Sequence, residues 1–201
     1  MPFLISFIML FIFISNLLYR RANRQNTEKR EAFWEKEHRA NLTRKKDISQ
    51  LDFIEIPVDE LPFPETGNDE IQAVQERLLS LVQKKIVNFT GISNTDLKLT
   101  YGAANITFLM EYDNNYIELV RTLYRYGKLL YDNHYVKEAA QILEYGIAVH
   151  TDVSANYTLL AQIYKEENAK ERIEFVISAA ESLESLTKKA LLAELDTIYH
   201  G

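Results

Sequence analysis

Histidine and cysteine are the residue types that most often carry catalysis or bind metals, and neither forms a recognisable motif in this 201-residue sequence. Four histidines are scattered, so neither an H-E-x-x-H metal face nor a carboxylate-paired catalytic histidine is indicated. The lack of cysteine excludes a thiol nucleophile and a thiolate zinc site. The sequence also lacks a P-loop, a G-x-G-x-x-G and a G-x-S-x-G motif. We therefore expect a protein that is not an enzyme and that has no cofactor and no metal site.

Basic side chains could instead bind acidic ligands, and they are unevenly distributed along the chain. Residues 20–46 hold ten Lys or Arg and four Glu, a net charge of +6. Residues 47–201 hold 13 basic and 25 acidic side chains, a net charge of −12. An acidic pI of about 5.3 argues against a nucleic-acid partner. Basic residues that bind an acidic ligand would therefore form a local patch within an acidic body.

The N-terminal residues 2–19 form an uncharged and strongly apolar segment. As a helix it would span about 27 Å, close to the ~30 Å hydrocarbon core of a bilayer. A cleaved signal peptide is the alternative, but no basic residue precedes the segment and no cleavage site follows it. The basic residues after the segment place the N-terminus outside and the C-terminal domain in the cytoplasm. We therefore predict a single-pass protein of the cell membrane, anchored by a transmembrane helix over residues 1–19.

Two segments separate the predicted anchor from the body. Residues 20–46 lack helix breakers and are expected to form a basic helical stalk, or to lie at the membrane interface and attract anionic lipid. Residues 47–68 contain three of the four prolines, yet they are too apolar for a free linker. We expect an extended strap packed on the body. The alternative is a displaceable strap that occupies a binding groove of the body.

Residues 69–201 have the apolar spacing of helices, and no segment combines a strand pattern with hairpin signals. Short polar connections at 132–134 and 166–168 predict antiparallel helix neighbours. Residues 91–105 are expected to form a loop, and Asp113-Asn114-Asn115 to start the helix that follows it. The predicted fold is all-α, with an N-terminal transmembrane helix followed by a bundle of antiparallel helical hairpins.

A repeat appears when the sequence is shifted against itself by 34 residues. Leu123-x2-Tyr126-Gly127-x2-Leu130 then superposes on Tyr157-x2-Leu160-Ala161-x2-Tyr164. The small residues Gly127 and Ala161 would let the two helices of each pair approach closely. This pattern resembles the tetratricopeptide repeat (TPR) family, although no Trp opens the repeats and no Pro closes them. The resemblance covers residues 115–200 and implies a stack of helix pairs.

The resemblance also implies a concave groove, lined by the first helix of each pair, that receives an extended peptide or a partner helix. Helical phase assigns seven residues to this groove: Arg121, Tyr124, Lys128, Tyr131, Thr158, Gln162 and Lys165. Arg121, Lys128 and Lys165 would form a basic floor suited to an acidic or carboxylate-ended ligand. The sequence thus predicts a membrane-tethered TPR-like interaction or scaffold module that binds a protein or peptide. The alternative is a self-assembling structural membrane protein that forms homo-oligomers.

Overall fold

The fold, seen in a computed structural model, consists of helices joined by irregular segments over residues 2–201, the part of the chain that the structure describes. The side chains at positions 2–6, 8, 10, 12, 22 and 25 lie outside the description. The α-helices are α1 (Pro2–Asn41), α2 (Asp69–Leu81), α3 (Asn94–Tyr101), α4 (Ile106–Asp132), α5 (Val136–Ala148), α6 (Ser154–Glu166), α7 (Lys170–Glu181) and α8 (Lys188–His200), with one 3-10 turn at Ala103–Asn105. Residues 2–201 contain no strand, and the all-α prediction is confirmed.

The predicted transmembrane anchor is not found. Part of the segment on which it was placed lies outside the described residues, because residue 1 and the side chains at 2–6, 8, 10 and 12 are not described. The helix that contains this segment, α1, continues directly through Arg20 and Arg21 to Asn41, and its second half is strongly charged. Within the described residues, no helix combines the length and the apolar character that crossing a membrane requires. This finding contradicts the transmembrane part of the predicted fold class and the single-pass localisation.

The chain divides into two compact units. The first comprises residues 2–48 and Ser93–Ile106, and the second comprises Ser49–Ile92 and Thr107–Gly201. All seven predicted groove residues belong to the second unit. The second unit therefore carries the candidate site.

The first unit is held together by polar contacts between the C-terminal end of α1 and α3. Glu37 pairs with Lys98, and its second carboxylate oxygen accepts a hydrogen bond of 2.6 Å from Thr95. The hydrogen bond from Lys98 is the main reason why the pKa of Glu37 is lowered. Ser93 caps α3 by accepting from the Asp96 amide. The predicted loop over 91–105 therefore contains a helix, because a cap and a partner on α1 are both present.

In the second unit, α2 runs antiparallel to α4. At one end of the pair Asn68 donates to Asn133, and at the other Asn115 donates to the Lys85 carbonyl at 3.0 Å. Asp113 accepts from the Phe89 amide at 3.3 Å. Because Asp113 and Asn115 bond to the 85–89 segment, they do not cap a helix. The helix predicted to start at residue 113 accordingly begins seven residues earlier, at Ile106.

The strap packs along α2, α4 and α5 as a non-helical segment with a turn at residues 58–60. Its Glu55 carbonyl accepts from the Tyr145 hydroxyl at 3.0 Å, and its Pro62 carbonyl accepts from the Tyr126 hydroxyl at 2.7 Å. Ile56 is buried in the core of the unit. These contacts satisfy polar backbone groups that a strap packed on apolar surface would otherwise leave unpaired. They involve none of the seven predicted groove residues.

The helices of the second unit repeat with a period of 34 residues. Helices α4, α6 and α8 end at Asp132, Glu166 and His200, and α5 and α7 begin at Val136 and Lys170. The turns after α4 and α6 also match, with His134 and Asn168 in the left-handed region at φ 68° and 57°. In each turn a backbone N–H donates a hydrogen bond to a carbonyl near the end of the preceding helix. Tyr135 donates to Leu130 at 2.9 Å, and Ala169 donates to Tyr164 at 2.8 Å. A helical repeat is thus present in the structure.

Two tyrosines, the half-buried Tyr145 and the buried Tyr157, make the stability of this unit sensitive to alkaline pH. Burial raises the pKa of Tyr145 and Tyr157 to about 12, from an ordinary value of 10. Because the unfolded chain then loses these protons first, their stabilisation is complete below pH 10 and is lost as pH rises toward 12. We expect the free energy of unfolding to fall by roughly 2 kcal/mol for each such tyrosine across this interval.

Urea unfolding at pH 9, 10.5 and 11.5 measures this dependence. Tyr145→Phe should flatten the slope, because one titrating group is removed. A midpoint that stays constant over the three pH values would contradict the prediction.

Candidate functional site

The seven predicted groove residues lie on the surfaces of α4 and α6. Arg121, Lys128, Gln162 and Lys165 are exposed. Tyr124, Tyr131 and Thr158 are half-buried, and both tyrosines also pack against the hydrophobic core. We call this surface the α4/α6 face.

One carboxylate links the two helices of the α4/α6 face. The Tyr131 hydroxyl donates to Oε1 of Glu166 at 2.8 Å, and the Gln162 amide donates to the same oxygen at 3.2 Å. The hydrogen bond to Glu166 is the main cause of a raised pKa of Tyr131. These contacts bring Tyr131 and Gln162 together and fix their side chains across the boundary between α4 and α6.

The three basic residues of the predicted floor differ in their surroundings. The Lys128 amino group lies 2.6 Å from both carboxylate oxygens of Asp132, one turn along α4, so its charge is neutralised locally. Lys165 lines a cavity of about 450 Å³ at the end of α6, together with Lys170 and His200. Arg121 lines a different cavity, between α4 and α2. The three residues thus have different neighbours, and their joint basic floor stays a prediction.

The cavity beside Arg121 is part of a groove that carries three arginines. One section, of about 440 Å³, is lined by Arg77, Arg121 and Arg125 together with Ile117 and Glu118 among others. A neighbouring section of about 370 Å³ shares Arg77 and Arg125 with it. We call this feature the arginine groove. It holds three of the four arginines of the second unit.

Of the three arginines in this groove, only Arg77 forms an ion pair with a described residue. Glu118 contacts the Arg77 guanidinium and also lies 3.5 Å from the Lys84 amino group. Arg121 and Arg125 are exposed and form no hydrogen bond or ion pair with any described residue. Two guanidinium groups, each with five donors, are therefore available to a ligand.

Arg121 is one of the seven predicted groove residues, whereas Arg77, Arg125 and Glu118, which line the arginine groove with it, were not predicted. The spacing of Arg121 and Arg125, one helical turn apart, was a usable signal for a shared face. Nothing in the sequence places Arg77 beside them, because α2 lies outside the 34-residue repeat.

No cluster of three or more His, Asp or Glu side chains in the described residues is placed to hold a metal ion. The chain matches no protein-family model, no curated protein and no solved structure.

Proposed function

We propose that the second unit is a TPR-like, non-catalytic interaction module that binds a protein or peptide partner across the exposed surfaces of α4 and α6. The observation that carries this proposal is the 34-residue register of the helices. By this register Tyr124 and Thr158, Lys128 and Gln162, and Tyr131 and Lys165 occupy equivalent positions of the two helices. A surface built from equivalent positions presents a regular series of contacts to an extended ligand.

The chemistry of the α4/α6 face favours binding over catalysis. Its aromatic side chains are half-buried and held in place, so little conformational entropy is lost when a ligand contacts them. Hydroxyl, amide and amino groups lie between them and supply hydrogen bonds to a peptide backbone. This combination of fixed aromatics and polar donors is typical of protein-binding surfaces.

Selection of a displayed library of random 12-residue peptides against the full chain tests the proposal. We expect the enriched peptides to bind the double variant Tyr124→Ala/Tyr131→Ala at least 10-fold more weakly than the wild type by isothermal titration calorimetry. Phe175→Ala is the matched control, because Phe175 is an aromatic residue of α7 that is 55% exposed.

Circular dichroism of each variant checks that the helices are retained. The proposal would be refuted if no peptide is enriched, or if Phe175→Ala weakens binding as much as the tyrosine substitutions do.

A further inference from the structure

The net charge of the arginine groove is opposite in sign to that of the second unit, which contains it. The second unit holds twelve Lys or Arg and 23 Asp or Glu, a net charge of −11. The charged side chains that line the groove are Arg77, Arg121, Arg125 and Glu118, a net charge of +2. A basic groove within an acidic surface attracts negatively charged segments there and repels them elsewhere, which gives both affinity and position.

The shape of the groove indicates an extended ligand rather than a small anion. Its two sections share Arg77 and Arg125 and so form one continuous depression between α2 and α4. Arg121 and Arg125 are one turn apart, a rise of about 6 Å along α4. Alternate side chains of an extended peptide are separated by about 6.6 Å. Two carboxylates at alternate positions therefore match the spacing of the two arginines.

The walls of the groove also have an apolar component. Ile117 is 37% exposed beside the arginines, and Ala73 and Val74 of α2 line the second section. In an extended ligand the residues between the acidic ones point to the opposite side, toward α2, where small apolar side chains would contact Ala73 and Val74. The groove thus fits a peptide in which acidic and small apolar residues alternate.

Glu118 already occupies part of the groove. Its carboxylate pairs with Arg77, one of the two arginines that both sections share, and it is only partly exposed. An incoming carboxylate must therefore compete with Glu118 for Arg77, while Arg121 and Arg125 remain available. The chain's own carboxylate shows which chemistry these guanidinium groups accept.

We propose that the arginine groove binds an extended acidic segment of a partner protein, with Arg121 and Arg125 each binding a carboxylate and Glu118 acting as an internal competitor at Arg77. This inference rests on the proposed function, because it names the ligand class of an interaction module. It adds α2 to the binding surface.

A fluorescein-labelled octapeptide in which Glu alternates with Ala or Val tests the inference by fluorescence anisotropy with the full chain. Arg121→Gln/Arg125→Gln should weaken binding at least 10-fold, and Glu118→Gln should tighten it 3- to 10-fold. The control is Lys137→Gln/Lys189→Gln, which removes two exposed positive charges outside the groove lining and should change affinity less than 2-fold. Arg121→Glu/Arg125→Glu should transfer preference to the corresponding Lys peptide.

Equal losses in the arginine and lysine pairs would overturn the inference, because the attraction would then be diffuse. Displacement of the peptide by inorganic phosphate as effectively as by unlabelled peptide would overturn the assignment of a peptide ligand. Unchanged affinity in Glu118→Gln would contradict the competition. If the octapeptide binds but ignores the arginine substitutions, the groove is wrong while the interaction module stands. If library peptides also fail to depend on Tyr124 and Tyr131, the proposed function fails as well.

Discussion

Replacing Asn156 with Asp is expected to lower the free energy of unfolding by about 3 to 5 kcal/mol at pH 7. Asn156 is fully buried on α6, and its amide nitrogen donates to the Leu143 carbonyl on α5 at 2.9 Å. Its side-chain oxygen faces Gly146, so closely that a Cβ at residue 146 would lie 2.7 Å from it. A carboxylate would place an acceptor against the Leu143 carbonyl and bury an unpaired charge. The hydrogen bond that residue 156 of α6 donates to the Leu143 carbonyl of α5 would be lost.

The loss in free energy of unfolding caused by Asn156→Asp should depend on pH. A protonated carboxyl can donate to the Leu143 carbonyl much as the amide does, so the folded state would favour the protonated form and the pKa of the new carboxyl would be raised. A raised pKa means that the variant is closest to the wild type at acid pH and loses stability as pH rises. Urea unfolding of variant and wild type at pH 4.5 and 7.5 measures the difference.

Asn168→Asp is the matched control for this substitution. Asn168 is exposed and sits in a left-handed turn, a conformation that Asp also tolerates. We expect its effect to stay within about 0.5 kcal/mol. A deficit in Asn156→Asp as small as that of the control would mean that the α5 and α6 junction is open to water.

The helical architecture could be predicted where the signals are local. Apolar spacing and the 34-residue self-similarity located α4 to α8, because each of these helices buries one periodic face and the turns after α4 and α6 have the same chemistry. The prediction was wrong at α3, where a loop was expected, and at the start of α4, which was expected at residue 113. Asp113 and Asn115 have the composition of a helix cap, but they bond to residues about 25 to 30 positions earlier. A long-range contact of this kind is invisible to a local pattern.

The candidate site shows the same division between local and tertiary information. Helical phase placed seven residues on α4 and α6, and the pairing of Lys128 with Asp132 follows the i, i+4 rule that a sequence can reveal. The contact of Tyr131 with Glu166 depends on the packing of α4 beside α6. One wall of the arginine groove is formed by α2, which is not part of the 34-residue repeat, so the repeat pattern could not place it beside α4. The different surroundings of Arg121, Lys128 and Lys165 therefore became clear only from the tertiary structure.

The packing of α4 against α5 leads to the second large prediction, for Gly127→Val. A Cβ at residue 127 would lie 2.7 Å from Cγ and 2.8 Å from Cδ2 of Leu143, closer than carbon atoms approach without displacement. Both residues are buried, so the overlap cannot be relieved toward solvent. We expect a loss of about 3 kcal/mol in the free energy of unfolding, although Val is a better helix former than Gly. Ala193→Val, at an exposed position of α8, is the control and should cost less than about 0.5 kcal/mol.

A double-mutant cycle with Leu143→Ala tests whether this contact is the cause of the loss. Leu143→Ala alone removes a fully buried side chain and should cost about 3 kcal/mol. In the double variant the new side chain at 127 would fill part of the space left at 143, so the combined loss should be smaller than the sum by about 2 kcal/mol. Additive losses would show that the two positions do not share one packing site. The close approach of α4 and α5 that underlies the repeat would then have to depend on other contacts.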